Sequence, residues 1–181
     1  MINPEQTRPN LELEVAYSLC FEKLMYKFFG RIDKLISFFL ILSSMTAIGS
    51  IGGLVNGTFS GIFLAVITAI QIIYTPSAKA QAAKDNYCLY CKLYKKMGSM
   101  SDEEIANHLA DLTKRDTDEI GLLSHPARLS ALVMLGMTPD KKYPVERKLK
   151  PSERLAALFA GELPEYNFEH VISEANNDSQ N

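Results

Sequence analysis

Three cysteines, three histidines and several carboxylate clusters are the residues of this chain whose types could do chemistry. Cys88 and Cys91 form a C-x-x-C pair, the spacing used by zinc sites and dithiol redox centres. A zinc site needs two further ligands, and no second close pair of Cys or His is present; His108, His125 and His170 are scattered. On a helix the two sulfurs sit one turn apart, which suits packing or incidental thiols. Glu103-Glu104 and Asp116, Asp118 and Glu119 fall at predicted helix starts or turns, where the helix dipole accounts for negative charge. There is no glycine loop followed by Lys-Ser/Thr, no G-x-S-x-G and no H-E-x-x-H. The sequence therefore points to no catalytic residue, no metal site and no cofactor, and we do not expect an enzyme.

Polar side chains of a different kind, Ser43, Ser44, Thr68 and Gln71, stand in strongly apolar surroundings. Between Lys34 and Lys79 there is no Asp, Glu, Lys or Arg. Those about 44 residues would make roughly 66 Å of helix, close to twice a hydrocarbon core of about 30 Å. Leu35–Leu54 reads LISFFLILSSMTAIGSIGGL and Thr58–Tyr74 reads TFSGIFLAVITAIQIIY, with the turn signal Asn56-Gly57 between them. Two membrane spans joined by a tight turn fit better than one overlong helix. Lys23, Lys27, Arg31 and Lys34 precede the first span, and Lys79, Lys84, Lys92, Lys95 and Lys96 follow the second. The turn has no basic residue, so the positive-inside rule puts both ends in the cytoplasm.

Small residues mark where helices approach closely in lipid. Gly61, Ala65 and Ala69 form one stripe of the second span; Gly49 and Gly53 have the small-xxx-small spacing on the first. Such faces serve packing within one hairpin or contact between hairpins of different subunits. Ser43, Ser44, Thr68 and Gln71 are candidates to line a wet path in an oligomer, although serine and threonine hydroxyls also bond to their own backbone.

The flanks read as cytoplasmic helices. Upstream, Leu13, Tyr17, Cys20, Leu24 and Phe28 form an apolar line, with Glu14, Glu22 and Lys23 off it. Downstream, Pro76 suits a first helical turn, and Ala83, Tyr87, Tyr90, Tyr94 and Met97 form a heptad stripe. Antiparallel spans bring these flanks out side by side, so Tyr17, Leu24, Phe28, Tyr87, Tyr90 and Tyr94 are expected to pack as a stalk. Ser101 to Glu104 fits a capping box for a helix through about Arg115. Pro126 is expected to open another helix ending at Gly136, KKYPVERKLK to be a linker, and Pro151–Ala160 a short helix stopped by Gly161. From about Glu165 the composition turns polar and disorder is expected.

This order of parts, over about residues 10 to 137, resembles the SLATT family, the SMODS- and SLOG-associating two-transmembrane effector domains of bacteria. An amphipathic helix leads into RIDKLISFFLILSSMTAIGSIGG, a turn and second span follow, and TPSAKAQAAKDNYCLYCKLYKKM continues as a long helix. The later IGLLSHPARLSALVMLG resembles the family's closing segment, though His125-Pro126 lacks the acidic residue that members carry before the proline. The resemblance implies a membrane effector of anti-phage conflict systems, which oligomerises and forms a pore when a linked sensor detects infection. A nucleotide synthase or reverse transcriptase encoded nearby is then the implied partner.

The expected fold is an all-α membrane protein with a two-span hairpin, long flanking cytoplasmic helices and a small helical C-terminal region. Its divisions are 1–34 (amphipathic helix), 35–75 (hairpin), 76–98 (stalk helix), 99–164 (small helical region) and 165–181 (tail). The expected site is the inner membrane, with lipid and further copies of the chain as partners. The net charge of −2 gives no global pull toward nucleic acid, and no direct nucleic-acid binding is expected. Three cysteines are too few for a secreted disulfide framework, and the first residues do not read as a cleavable signal peptide. The competing function is a non-conducting anchor or superinfection-exclusion protein that recruits a partner through its cytoplasmic helices. A holin shares the hairpin but has no need of so long a structured cytoplasmic chain.

Overall fold

The computed structural model describes residues 7–48, 57–116, 120–137 and 149–162, with side chains of 44–60 left out. Every regular element among them is helical. α1 runs Arg8–Ile48, α2 Gly57–Tyr74, α3 Pro76–Lys96, α4 Asp102–Thr113, α5 Gly121–Met134 and α6 Pro151–Ala160, with a 3-10 turn at Met97–Ser99. The tail, most of the linker, Gly49, Gly53 and Asn56 lie outside the described residues.

α1 passes without a break from the amphipathic segment into the apolar one, so the division at residue 34 is chemical and not structural. Its 41 residues span roughly 60 Å. Gly30 interrupts nothing, because a single helical glycine costs only about 1 kcal/mol relative to alanine. Up to Phe29 the helix is the centre of a bundle: α3 lies along it most extensively, α5 next, and α4 and α6 add smaller contacts. Leu11, Val15, Ala16, Leu24 and Met25 are buried there with Ala83, Tyr90 and Leu93 of α3, Ile105 and Leu109 of α4, and Leu123 and Ala127 of α5. Beyond Lys34 the character inverts. Phe38, Phe39, Ile41 and Leu42 are exposed, as are Ile62, Phe63, Val66, Ile70, Ile72 and Ile73 of α2. Phe39 and Phe63 meet edge to face at 6.3 Å between the two segments. One helical segment among the described residues, Gly61–Ser99, carries a stretch long and apolar enough to cross a membrane, and almost none of that stretch is buried.

The helix ends follow from local chemistry. Ser101 Oγ accepts the Glu104 N–H at 3.3 Å while Glu104 Oε2 accepts the Ser101 N–H at 2.8 Å, the capping box that the spacing predicts. α2 and α3 are separated by Thr75 alone, at φ 39° and ψ 55°. A β-branched residue rarely adopts this left-handed conformation, and Pro76 behind it supplies no N–H to continue the helix. Pro126 does not open α5, contrary to expectation, but lies inside it, five residues after Gly121. The helix therefore begins earlier than a proline-at-start rule would place it. Its proline is buried against the bundle, so tertiary packing offsets the lost backbone bond.

Tyr90 joins packing to hydrogen bonding, since its ring is fully buried and its hydroxyl donates to Asp116 Oδ1 at 2.7 Å. Tyr90→Phe is expected to lower the unfolding free energy by about 1 kcal/mol, and Tyr90→Ala by about 3–5 kcal/mol. Denaturant titration followed by circular dichroism measures both.

Candidate functional site

The small and polar residues singled out in the charge-free stretch differ in their surroundings. Gly61, Ala65 and Ala69 are all exposed, and a Cβ at Gly61 would meet no described atom within 4 Å. This stripe is therefore not consumed by packing among the described residues of one chain. Ser43 is buried, Gln71 is half-buried, and Thr68 is exposed but donates its hydroxyl to Leu64 O at 2.8 Å. Back-bonding of that kind satisfies a threonine in an apolar medium without any partner. Ser44 lies among the side chains not described.

The stalk residues do converge. Leu24 and Tyr90 are buried; Tyr17, Phe28, Tyr87 and Tyr94 are half-buried and packed against the same core. Lys79 lies over the Phe29 ring at 5.6 Å and Lys84 over the Tyr26 ring at 5.9 Å, which fixes α1 and α3 side by side. Cys20 is buried, and desolvation pushes its thiol up to about 11. A thiol so raised is almost wholly protonated at neutral pH and is a poor nucleophile. Cys88 is exposed and Cys91 half-buried. The hydrogen bond with Cys91, then desolvation, pushes the Tyr87 hydroxyl up to about 12. No three His, Cys, Asp or Glu side chains gather at metal-binding range among the described residues.

Three polar assemblies that periodicity did not single out hold the bundle. At its far end Arg8 donates from Nε to Glu12 Oε1 at 3.0 Å and from Nη1 to both Asp102 Oδ1 at 3.0 Å and Met100 O at 2.9 Å. A further bond reaches Met97 O, so one guanidinium joins α1 to the last turn after α3. In the middle, Glu22 is fully buried, although the apolar line leaves it on the polar side. Asn86 donates to Glu22 Oε1 at 3.3 Å and to Arg115 O at 2.7 Å, tying α1, α3 and the end of α4 together. Close to the apolar segment, Lys23 and Lys27 share Glu162 Oε1 at 2.6 and 2.5 Å. Arg31 donates to Phe159 O at 2.6 Å, and Phe28 meets Phe159 edge to face at 5.5 Å. Gly161, at φ 76°, ends α6 directly under the Arg31 guanidinium, which a Cβ would strike. The C-terminal end of α6 thus meets cations of α1, Arg31 on its carbonyls and Lys23 and Lys27 on the Glu162 carboxylate, with the Arg31 contact in the polarity that suits a helix dipole.

An open groove of about 570 Å³ lies between α3 and α4. Its apolar floor includes Leu93 and Leu112, and its rim carries Lys92, Lys96, His108 and Arg115, while Lys114 pairs with Asp111 at 2.9 Å. On a chain of net charge −2 this is a local concentration of positive charge, suited to an acidic partner surface. No protein-family model, curated protein or solved structure matches the chain.

The α6 contact generates a pH dependence. Desolvation raises the Glu162 carboxyl, but hydrogen bonds from Lys23 and Lys27 outweigh it, and the net shift is downward from 4.5. Its contribution to α6 docking is therefore complete above pH 4.5 and lost as pH falls through the lowered folded value. Amide protection over residues 150–162, measured relative to intrinsic exchange at each pH, should fall in that acid window, and Glu162→Gln should show the lower protection already at neutral pH.

Proposed function

We propose that the chain is a two-span membrane effector of the SLATT type, inserted in a bacterial inner membrane, which assembles with further copies into a pore. The single observation that carries this reading is the change of surface along α1 and α2. Bulky apolar side chains of these two helices are bare within the charge-free stretch, whereas those of the charged part of α1 are mostly buried. A water-soluble fold would cover such a surface, whereas lipid solvates it. The level of the two helices supports a hairpin. Phe29 lies six residues before the first span and Lys79 five residues after the second, and the two side chains are in contact. Both spans then enter the bilayer at one height, on the side that holds the lysines and arginines.

Assembly is supported by the bare Gly61, Ala65 and Ala69 stripe and by half-buried Gln71 at membrane depth. The bundle of α1, α3, α4 and α5 would transmit a trigger by repacking against the shared helix α1. A non-conducting anchor that recruits a partner is the alternative, and the basic groove between α3 and α4 favours it.

Induced expression with a membrane-potential dye separates the two functions. A pore former is expected to depolarise cells when its authentic trigger is supplied, and Gln71→Leu to weaken the effect. Inserted protein that leaves triggered cells polarised, and that keeps its activity when the hairpin is exchanged for an unrelated two-span anchor, is a scaffold.

A further inference from the structure

α6 is built the wrong way round for a helix surrounded by water. Its small residues Ala156, Ala157 and Ala160 are buried against the bundle, while Leu155 and Leu158 are 67% and 60% exposed. Phe159 is only partly covered, by Phe28. A short amphipathic helix facing water places its large apolar residues inward and its alanines wherever space is short.

The place of α6 on α1 gives the reason. Arg31 holds the carbonyl of Phe159 at 2.6 Å and lies within 3.5 Å of that of Leu158. Arg31 is four residues from Leu35, about 6 Å along a helix axis. Leu35 and Phe38 are themselves exposed, so bare apolar surface on α1 begins at this height beside the leucines of α6. The exposed cations of this region are Lys150, at the N-cap of α6, Arg154 of α6, and Arg31 and Lys34 of α1. Large apolar residues bordered by lysine and arginine, at the edge of a membrane-spanning surface, are the composition of a helix lying in the headgroup region.

We infer that α6 is an interfacial helix, with Leu155 and Leu158 inserted among the acyl chains of an anionic leaflet and Lys150 and Arg154 among its headgroups. This rests on the proposed insertion of the charge-free segment. It adds a function for the Glu162 and Arg31 contacts: they hold α6 at a fixed height on α1, so lipid composition at the surface acts on the helix common to the whole bundle. A second copy of the chain covering the same leucines is the competing occupant.

The chain has no tryptophan, so a single introduced indole reports without background. Leu158→Trp, Leu155→Trp and, within α2, Val66→Trp replace exposed side chains and are accommodated without repacking. Each full-length variant is reconstituted in phosphatidylcholine–phosphatidylglycerol vesicles carrying bromine either near the headgroup or near the chain end. Val66→Trp is expected to be quenched chiefly by the deep bromines. Leu158→Trp and Leu155→Trp are expected to emit to the blue and be quenched chiefly by the shallow ones, less so when Lys150→Glu and Arg154→Glu are added. Quenching at Val66 with red, unquenched emission at Leu155 and Leu158 overturns the inference and leaves the span intact. Blue but unquenched emission at the α6 positions assigns the face to protein, a second copy, and also overturns it. Loss of quenching at Val66 removes the span, and the inference with it.

Discussion

α1 must satisfy two different surroundings with one unbroken backbone. Below Lys34 it is sheathed by α3, α5, α4 and α6; above Leu35, among the described residues, only α2 packs on it, and Leu35, Phe38, Phe39, Ile41 and Leu42 stay exposed. No break in helical hydrogen bonding separates the two halves, so the bundle and the apolar segment share one backbone. α2 and α3 differ in this respect. Thr75, held in a left-handed conformation before Pro76, breaks the second connection at the same height. On the proposed topology one strut entering the membrane is stiff and the other is jointed, an asymmetry suited to turning a packing change into relative motion of two spans.

Polar contacts set the register of the bundle. Arg8 gathers carbonyls at the far end, Asn86 bridges Glu22 and the Arg115 carbonyl in the middle, and Glu162 draws Lys23 and Lys27 together near the apolar segment. Exposed ion pairs such as Arg8 with Asp102 are screened by solvent and add little to stability. The buried seam is different, because removing one partner leaves a desolvated group behind at a cost of about 1–3 kcal/mol. The seam therefore selects one alignment of α1 on α3 more than it adds stability.

The sequence is eloquent about this molecule wherever one residue type repeats at a fixed period. The charge-free stretch, the tyrosine stripe of α3, the Ser101–Glu104 cap and the glycine stop at 161 each depend on neighbours a few positions away. It is silent where contacts join distant segments. Glu22 lies off the apolar line of α1, yet α3 and α5 close around α1 from more than one side and bury it. Arg8 pairs across more than ninety positions, and no periodicity marks such a residue in advance. Pro126 misleads for the same reason, since the rule that prolines begin helices is local and the packing that keeps it inside α5 is not. The exposed leucines of α6 are readable only once their height on α1 is known.

The claim on which the rest depends is that lipid surrounds residues 35–74 as two spans, with the Asn56 turn on the far side from the lysines. It is tested most directly by a cysteine at that turn. In a background lacking Cys20, Cys88 and Cys91, Asn56→Cys should react with a membrane-impermeant maleimide added to intact spheroplasts. Labelling that appears only after lysis would place the turn on the cytoplasmic side and contradict the account.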